Sequence, residues 1–427
     1  MKKFYNHIAL YLLLFWTVIL LFRISLLIDL TRMIVEIVIL SFSNPHFVFA
    51  QINLEMIDFI FAYFVFLLIL PLILYLFKKK LFLPRFAAGR LFLSVLIFIV
   101  LIAPLLTPFE PDFYKNINST KLLSPLTSKS YLVLNEDNNS DGSNIEDFLV
   151  LKRRVFNKSG ETNIIYFDSL KTADTVSIYQ NSEVIKIARD ALLLENGTPV
   201  VKSSFFILGT DEFGRDIFTR ILYGMRLSLF VASGSVILSL LLGLTLGFLA
   251  GYYGGWFDVL ISRTVDVFLT LPGIFLVILT IALFGNSLIN VILVLGLSGW
   301  MSLYKIVKGE VISIKNKDYF LTAKKIGLDN RRLFLKEILP VIASPVIINI
   351  LLQFSSVIIA ESALSYLGLG VGLNYPSLGS MINTGQEYFT QAWWISAFPG
   401  LTIISIILIF NSIGERINAQ LNSRFIQ

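Results

Sequence analysis

Residues 227–250 read LSLFVASGSVILSLLLGLTLGFLA, 24 positions without a charged side chain. Roughly 20 apolar residues in a row are what a helix needs to cross a bilayer core of about 30 Å. The block is too long and too uniformly apolar for the alternating pattern of a half-buried soluble element, so the membrane is the solvent to reason with. Working outward, comparable blocks follow at 267–284, 288–307, 341–362 and 395–413, and precede at 8–28, 57–77 and 91–108. The whole chain agrees: it is 56% hydrophobic and only 15% charged over 427 residues. A soluble chain carries about 25% charge.

The basic residues orient the blocks. Lys and Arg cluster beside them, at 78–90, 305–336 and 416–424, as cytoplasmic flanks do under the positive-inside rule. Met1-Lys2-Lys3 before the first block resembles a signal peptide, but no convincing small-residue cleavage site follows, so 8–28 reads as an uncleaved span with a cytoplasmic N-terminus. Residues 33–50, broken by Glu36, Asn44 and Pro45, read as an interfacial or re-entrant stretch outside. Lys78-Lys79-Lys80 with Arg85 and Arg90 marks an inner loop. Three spans before residue 109 and five after it make eight, with both termini inside and residues 109–206 outside.

That outer stretch has a different character. It is polar, with charges of both signs mixed. Tyr131–Leu134 and Phe148–Phe156 alternate like strands, and Asn157–Glu161 before Asn163–Phe167 reads as a hairpin loop. Asn135–Asn144 is a low-complexity turn. The expectation is a small β-rich insert whose outer location suits contact with an external partner.

Composition excludes several classes. The net charge of +6 sits beside apolar blocks and on no basic face with interleaved aromatics, which argues against nucleic acid. There is no cysteine, so no disulfide and no thiolate metal site. His7 and His46 lie too far apart to form a metal site alone. No Gly-x4-Gly-Lys-Ser/Thr loop, nucleophile elbow or His-Glu-x-x-His occurs, so the chain is expected to be no enzyme and to leave ATP to another subunit.

Four polar stretches interrupt the apolar text. LGTDEFGRD at 208–216, followed by YGMRLSL at 223–229, is a Gly-broken lead into a span, where Asp211, Arg215, Asp216 and Arg226 are placed to pair at the outer boundary. GYYGGWFD at 251–258, continuing to Arg263, Asp266, Leu271 and Pro272, reads as a tight inner loop with interfacial aromatics. Within Asp318–Pro340, Tyr319–Ile326 reads as a short helix, Gly327 ends it, and Asp329 is placed to cap the next. ESALSYLGLG at 361–370 puts an ionisable Glu361 near membrane depth, continuing to Pro376, Gly379 and Met381. FNSIGER at 410–416 closes the last span.

These stretches resemble the inner-membrane permeases of binding-protein-dependent ABC importers, in the dipeptide, oligopeptide and nickel subfamily. The resemblance begins at Leu91, where a span ends in APLLTP at 103–108, skips the insert, resumes at Leu208 and runs almost to the C-terminus. The diagnostic inner loop of that family has a Glu-Ala-Ala triplet, a Gly four residues later and Ile-x-Pro eleven further on. Here Leu321, Thr322 and Ala323 hold the triplet positions, with Gly327, Leu328 and Ile338-Leu339-Pro340 at the family spacing. The Glu and first Ala are not kept, Leu378 stands where an aromatic is usual, and Glu415 where Asp is usual.

The resemblance implies an all-α polytopic membrane protein with a type I importer core of one span plus five. Residues 1–90 would be an extra N-terminal region with two spans, 91–108 the first core span, 109–206 the insert, and 207–427 the remaining core. It implies a bacterial inner-membrane permease that imports peptides delivered by an external binding protein. An ABC ATPase would dock at the loop 308–340, through Tyr319, Leu321, Thr322, Ala323, Gly327, Leu328, Ile338 and Pro340, and carry the ATP and magnesium. A second permease subunit, identical or different, would complete the path in the lipid. Gly209, Thr210, Asp211, Gly214, Arg215 and Asp216 form the outer-boundary motif, and Glu361 is a candidate intramembrane polar site. A permease for nickel or another small solute is the nearest alternative. An ion-coupled secondary transporter is disfavoured by the few charges in the core spans and the lack of an inverted pair of broken spans. A membrane-anchored enzyme using Asp137, Asp141, Glu146 and Asp147 is disfavoured because these lie in a turn-rich stretch.

Overall fold

Apolar periodicity settles the first helix. The computed structural model describes residues 2–51, 53–78, 96–107, 109–112, 117–134, 148–149, 151–152, 155, 164–172, 175–180, 183–195, 198–372 and 375–424. By their contacts these residues form two units, one within residues 2–78, 96–223 and 388–395, the other within residues 224–387 and 396–424.

In the first unit, helix α1 (Lys2–Ser43) runs past the expected end of the span at 28. Where an interfacial or re-entrant stretch is expected at 33–50, residues 33–43 continue α1, and a short helix, Pro45–Gln51, takes over at the proline. Leu30, Met33 and Leu40 recur at helical spacing and are buried against Met56, Phe59, Ala62 and Phe66 of α2 (Leu54–Lys78). This period holds the chain helical where Glu36 suggested an interruption. The one departure is at Arg23 (φ −120°, ψ 18°), whose Nη2 donates to the Leu106 carbonyl at 3.1 Å. Trp16 stacks on Phe66 at 4.9 Å and donates to its carbonyl at 3.0 Å. Residues 96–101 and Ala103–Leu106 are helical; residues 91–95 and 108 of the expected span, and the inner loop beyond Lys78, lie outside the described residues.

The insert is built on β1 (Thr127–Val133), β2 (Ile164–Phe167), β3 (Ser169–Thr172), β4 (Thr175–Gln180), β5 (Glu183–Ala188), β6 (Leu194–Glu195), β7 (Thr198–Pro199) and β8 (Val201–Phe206). These pair antiparallel as β2-β1-β8, β3-β4-β5 and β6-β7. Leu132, Phe167, Val176, Ile178 and Leu192 make one apolar core, and Phe109, Ile164, Tyr166 and Phe206 another. The strand expected at Phe148–Phe156 is corrected: residues 148–149, 151–152 and 155 are helical. Phe148, Leu151 and Val155 fall at i, i+3 and i+7 and join the cluster of α1 and α2, a 3.6-residue period that overrides the apparent alternation. No hairpin therefore joins this segment to β2, which pairs with β1. The loop at 157–161 and the turn at 135–144 lie outside the described residues.

Helix α3 (Ile217–Tyr253) starts in the first unit and enters the second at Gly224. In the second unit follow α4 (Gly255–Thr270), α5 (Gly273–Phe284), α6 (Leu288–Lys315), α7 (Asp318–Lys325), α8 (Leu339–Tyr366) and α9 (Leu378–Glu387). Helix α10 (Trp394–Arg424) closes the chain. The single span expected at 267–284 is corrected: the chain breaks at Leu271-Pro272, and α4 and α5 are bent by 94°. A proline disfavours helical geometry in the residue before it, and Leu271 is extended (φ −90°, ψ 133°). Among the described residues four helices are long and apolar enough to cross a membrane, or five if the bent pair is one span. The four contain the blocks at 227–250, 288–307, 341–362 and 395–413. Of the blocks before the insert, 8–28 lies within α1 and 57–77 within α2.

The second unit packs closely because of glycine. Gly243, Gly247 and Gly251 form one line down α3, and a Cβ added to them would come within 2.8–2.9 Å of Leu303, of the Tyr304 carbonyl and Val307, and of Val311 on α6. Between apolar helices in lipid, such close approach is the main source of attraction, through van der Waals contact.

Candidate functional site

Three constellations carry the chemistry. The first is the inner elbow. Helix α6 ends at Asn316, and α7 starts from Lys317 with Asp318 in its first turn. Phe320 turns inward, 2% exposed, into a cluster with Val311, Ile314, Leu333 and Ile338, with Ala323 and Leu328 packed at its edge. The end of α7 is a Schellman motif: the Gly327 N–H reaches the Lys324 carbonyl (3.1 Å) and the Leu328 N–H the Ala323 carbonyl (3.3 Å). The motif needs a left-handed residue, and Gly327 sits at φ +86°. Asp329 does not cap with its side chain as the sequence suggested. It stands at the N-cap position with extended backbone, but its carbonyl is what accepts the Leu333 N–H (2.9 Å), while the Asn330 side chain takes a bond from the Tyr252 hydroxyl (2.6 Å).

Residues Leu333–Ile338 wind as a π-helix before α8. The wider turn leaves room for Pro340, which has no N–H and would crowd the carbonyl four residues back. Ile338 is buried and Pro340 exposed. Three ties hold the elbow to α3: Lys315 Nζ donates to the Gly251 (3.2 Å) and Tyr252 (2.6 Å) carbonyls, Tyr252 bonds Asn330, and Phe248 packs on Phe334 at 4.4 Å. Outward, Tyr319, Leu321, Thr322 and Ile326 are exposed, with Lys324 and Lys325 beside them. Partial desolvation and the nearby Glu337 push the Tyr319 hydroxyl above its ordinary value. At the positions where the family triplet departs, Leu321 adds apolar surface and Thr322 bonds back to the Asp318 carbonyl (2.8 Å).

The second constellation is the outer motif. Asp211 accepts the N–H groups of Phe213 and Arg215 at 2.9 Å and the Arg215 Nε at 2.7 Å. Asp216 caps α3 by accepting the Thr219 N–H at 2.8 Å. Gly209 and Gly214 have φ of +79° and +77°, and side chains there would strike the Leu123 carbonyl and Thr120. Thr210 bonds the Thr120 carbonyl, and its own carbonyl accepts from Trp394 Nε1 (3.2 Å). Two residues not singled out by the sequence complete it: Arg220 bridges Asp112 (2.9 Å) and Asp211 (3.7 Å). Arg226 falls in the second unit. Burial pushes the Asp216 carboxyl up to about 6 and, with Asp211 adjacent, raises Glu212 as well.

The third is Glu361, fully buried in α8. It accepts from Ser228 of α3 at 2.7 Å and Ser365 at 2.8 Å. No ion pair to it is present among the described residues. Elsewhere in the second unit Asp258 and Asp266 of α4 pair with Lys308 and Lys305 of α6, the latter at 3.0 Å. The sequence signals missed were the four-residue spacing of Ser235, Ser239, Gly243, Gly247 and Gly251, and the buried Phe320.

Comparison with known proteins gives the family. Residues 243–427 match the family described as binding-protein-dependent transport system inner membrane component. The dipeptide transport system permease protein DppC of Alkalihalophilus pseudofirmus is 39% identical over 216 residues, 51% of this chain and 71% of that protein. DppC of Bacillus subtilis is 36% identical over 239 residues, 56% of this chain and 74% of that protein. The oligopeptide permease OppC of the same organism is 32% identical over 232 residues, 54% of this chain and 75% of that protein. The chain belongs to the family of inner-membrane components of binding-protein-dependent transport systems.

Proposed function

We propose that the chain is one permease subunit of an ATP-driven importer of dipeptides or oligopeptides. A binding protein on the outer side hands over the substrate, and a separate ABC ATPase, which holds the ATP and magnesium, docks at the elbow. The observation that carries this is the elbow itself. A short helix anchored by Phe320, closed by Gly327 and tied to α3 presents Tyr319, Leu321 and Ile326 outward. An exposed apolar helix face of this kind suits a groove on a partner. The names of the curated relatives supply the substrate class.

On this reading both termini and the elbow are cytoplasmic, a second permease subunit completes the path, and the insert faces the binding protein. Glu361 is a polar clasp between α3 and α8. The test is co-purification of candidate ABC ATPases with the wild-type chain and with Gly327→Asp, alongside uptake of a labelled tripeptide by cells lacking other peptide permeases. Capture by wild type alone, with uptake that needs the ATPase, supports the reading. Capture by neither, or uptake independent of any ATPase, overturns it. Retained association of the binding protein after deletion of residues 112–200 would refute the assignment of the insert.

A further inference from the structure

Helices α6 and α8 carry an uncharged polar face that no contact described so far uses. From Leu339 to Ala360, α8 has no charged residue, and neither has α6 from Leu288 to Tyr304. Yet Asn349, Gln353 and Ser356 recur at i, i+4 and i+7, on one side of α8. Ser298 and Ser302 recur at i and i+4 on α6, and Asn349 Nδ2 reaches Ser302 Oγ at 3.5 Å, which puts the two faces side by side. Ser302 and Ser356 are exposed, and Ser298, Asn349 and Gln353 are half-buried.

Gln353 lies across Gly299, where a Cβ would come 1.7 Å from its Nε2, and bonds Ser239 Oγ at 2.7 Å. Its other amide head, Oε1, is buried without a partner among the described residues. Exchanging the two heads only moves the vacancy, because a single hydroxyl serves one of them. A buried polar atom without a partner is costly, and polar side chains inside spans face a partner or water.

We propose that Ser298, Ser302, Asn349, Gln353 and Ser356 line the substrate's passage and take the main-chain amides of a peptide. This rests on the importer reading above. A peptide offers N–H and C=O groups at every residue whatever its side chains. Neutral amides and hydroxyls match those groups without selecting a charge. Their bonds are individually weak, as passage requires: strong enough to admit the ligand and weak enough to release it.

The chain has no cysteine, which makes the test direct. The complete importer, with its partners' cysteines removed or blocked, is placed in proteoliposomes carrying Asn349→Cys, Ser356→Cys or, on the opposite side of α8, Ile347→Cys. A membrane-impermeant methanethiosulfonate is expected to label positions 349 and 356, to be slowed by saturating tripeptide, and to leave position 347 unlabelled. Gln353→Leu is expected to lower tripeptide uptake about two- to tenfold, the range of one neutral hydrogen bond, with ATPase co-purification unchanged. Labelling that ignores peptide, or equal labelling at 347, overturns the inference while leaving the importer reading standing. Absence of uptake by the cysteine-free parent overturns the importer reading, and this inference with it.

Discussion

Replacing Gly247 with alanine tests whether the glycine line sets the spacing of α3 and α6. The added Cβ would lie 2.9 Å from both the Tyr304 carbonyl and the Val307 Cβ. Ordinary contact begins near 3.4 Å, and the crowding atoms are backbone and a branched carbon, which do not swing aside. Overpacking of this kind costs about 1–3 kcal/mol. Alanine in place of helical glycine returns about 0.5–1 kcal/mol. Gly309 is the control: it lies in the same helix as Tyr304, has nothing within 4 Å of its Cβ position, and should show only the gain. The two variants should therefore differ by about 1–3 kcal/mol, or roughly 2–6 °C in melting temperature. The assay is thermal unfolding of both purified variants in nanodiscs. Gly247→Ala melting together with or above Gly309→Ala would refute close packing as the source of cohesion.

Three further outcomes follow from other sites. Phe320→Ala removes the anchor of the elbow and should cost about 3–5 kcal/mol locally; pull-downs should show loss of the ATPase with membrane insertion intact. Glu361→Gln keeps an acceptor for Ser228 and should melt near wild type, whereas Glu361→Leu leaves buried hydroxyls unpaired at about 1–3 kcal/mol. The reverse order in a melting series would remove the clasp. Burial raises the Asp216 carboxyl from 3.8 to about 6, so between those values the folded chain holds a proton that the unfolded chain has released. Stability from this group is complete below about pH 4 and is lost as pH rises through about 6. Asp216→Asn should flatten the pH dependence of melting across that window, and an unchanged slope would count against it.

Sequence pattern located the core well and its edges poorly. Uninterrupted apolar length marked the blocks at 227–250, 288–307, 341–362 and 395–413, because length is what a bilayer demands. It ran through Pro272, where one block is two helices, since hydropathy is blind to the backbone restriction a proline puts on its neighbour. At 33–43 a single Glu36 outweighed a good apolar period, and at 148–155 a short alternation hid the i, i+3, i+7 spacing. The elbow was legible at Gly327, where only one residue type is easily left-handed. Phe320 was not, because its inward turn depends on the cluster it enters. The polar face on α6 and α8 needed two helices side by side before its members could be seen as neighbours.

The ties between the elbow and α3 have a mechanical consequence. Lys315 grips the end of α3, Tyr252 grips Asn330, and Phe248 braces Phe334. Three struts at different points make a triangulated frame, and a triangulated frame has no free hinge. If a partner docks on α7 as proposed, its push would be spent on tilting α3, α6 and α8 together and not on bending the loop.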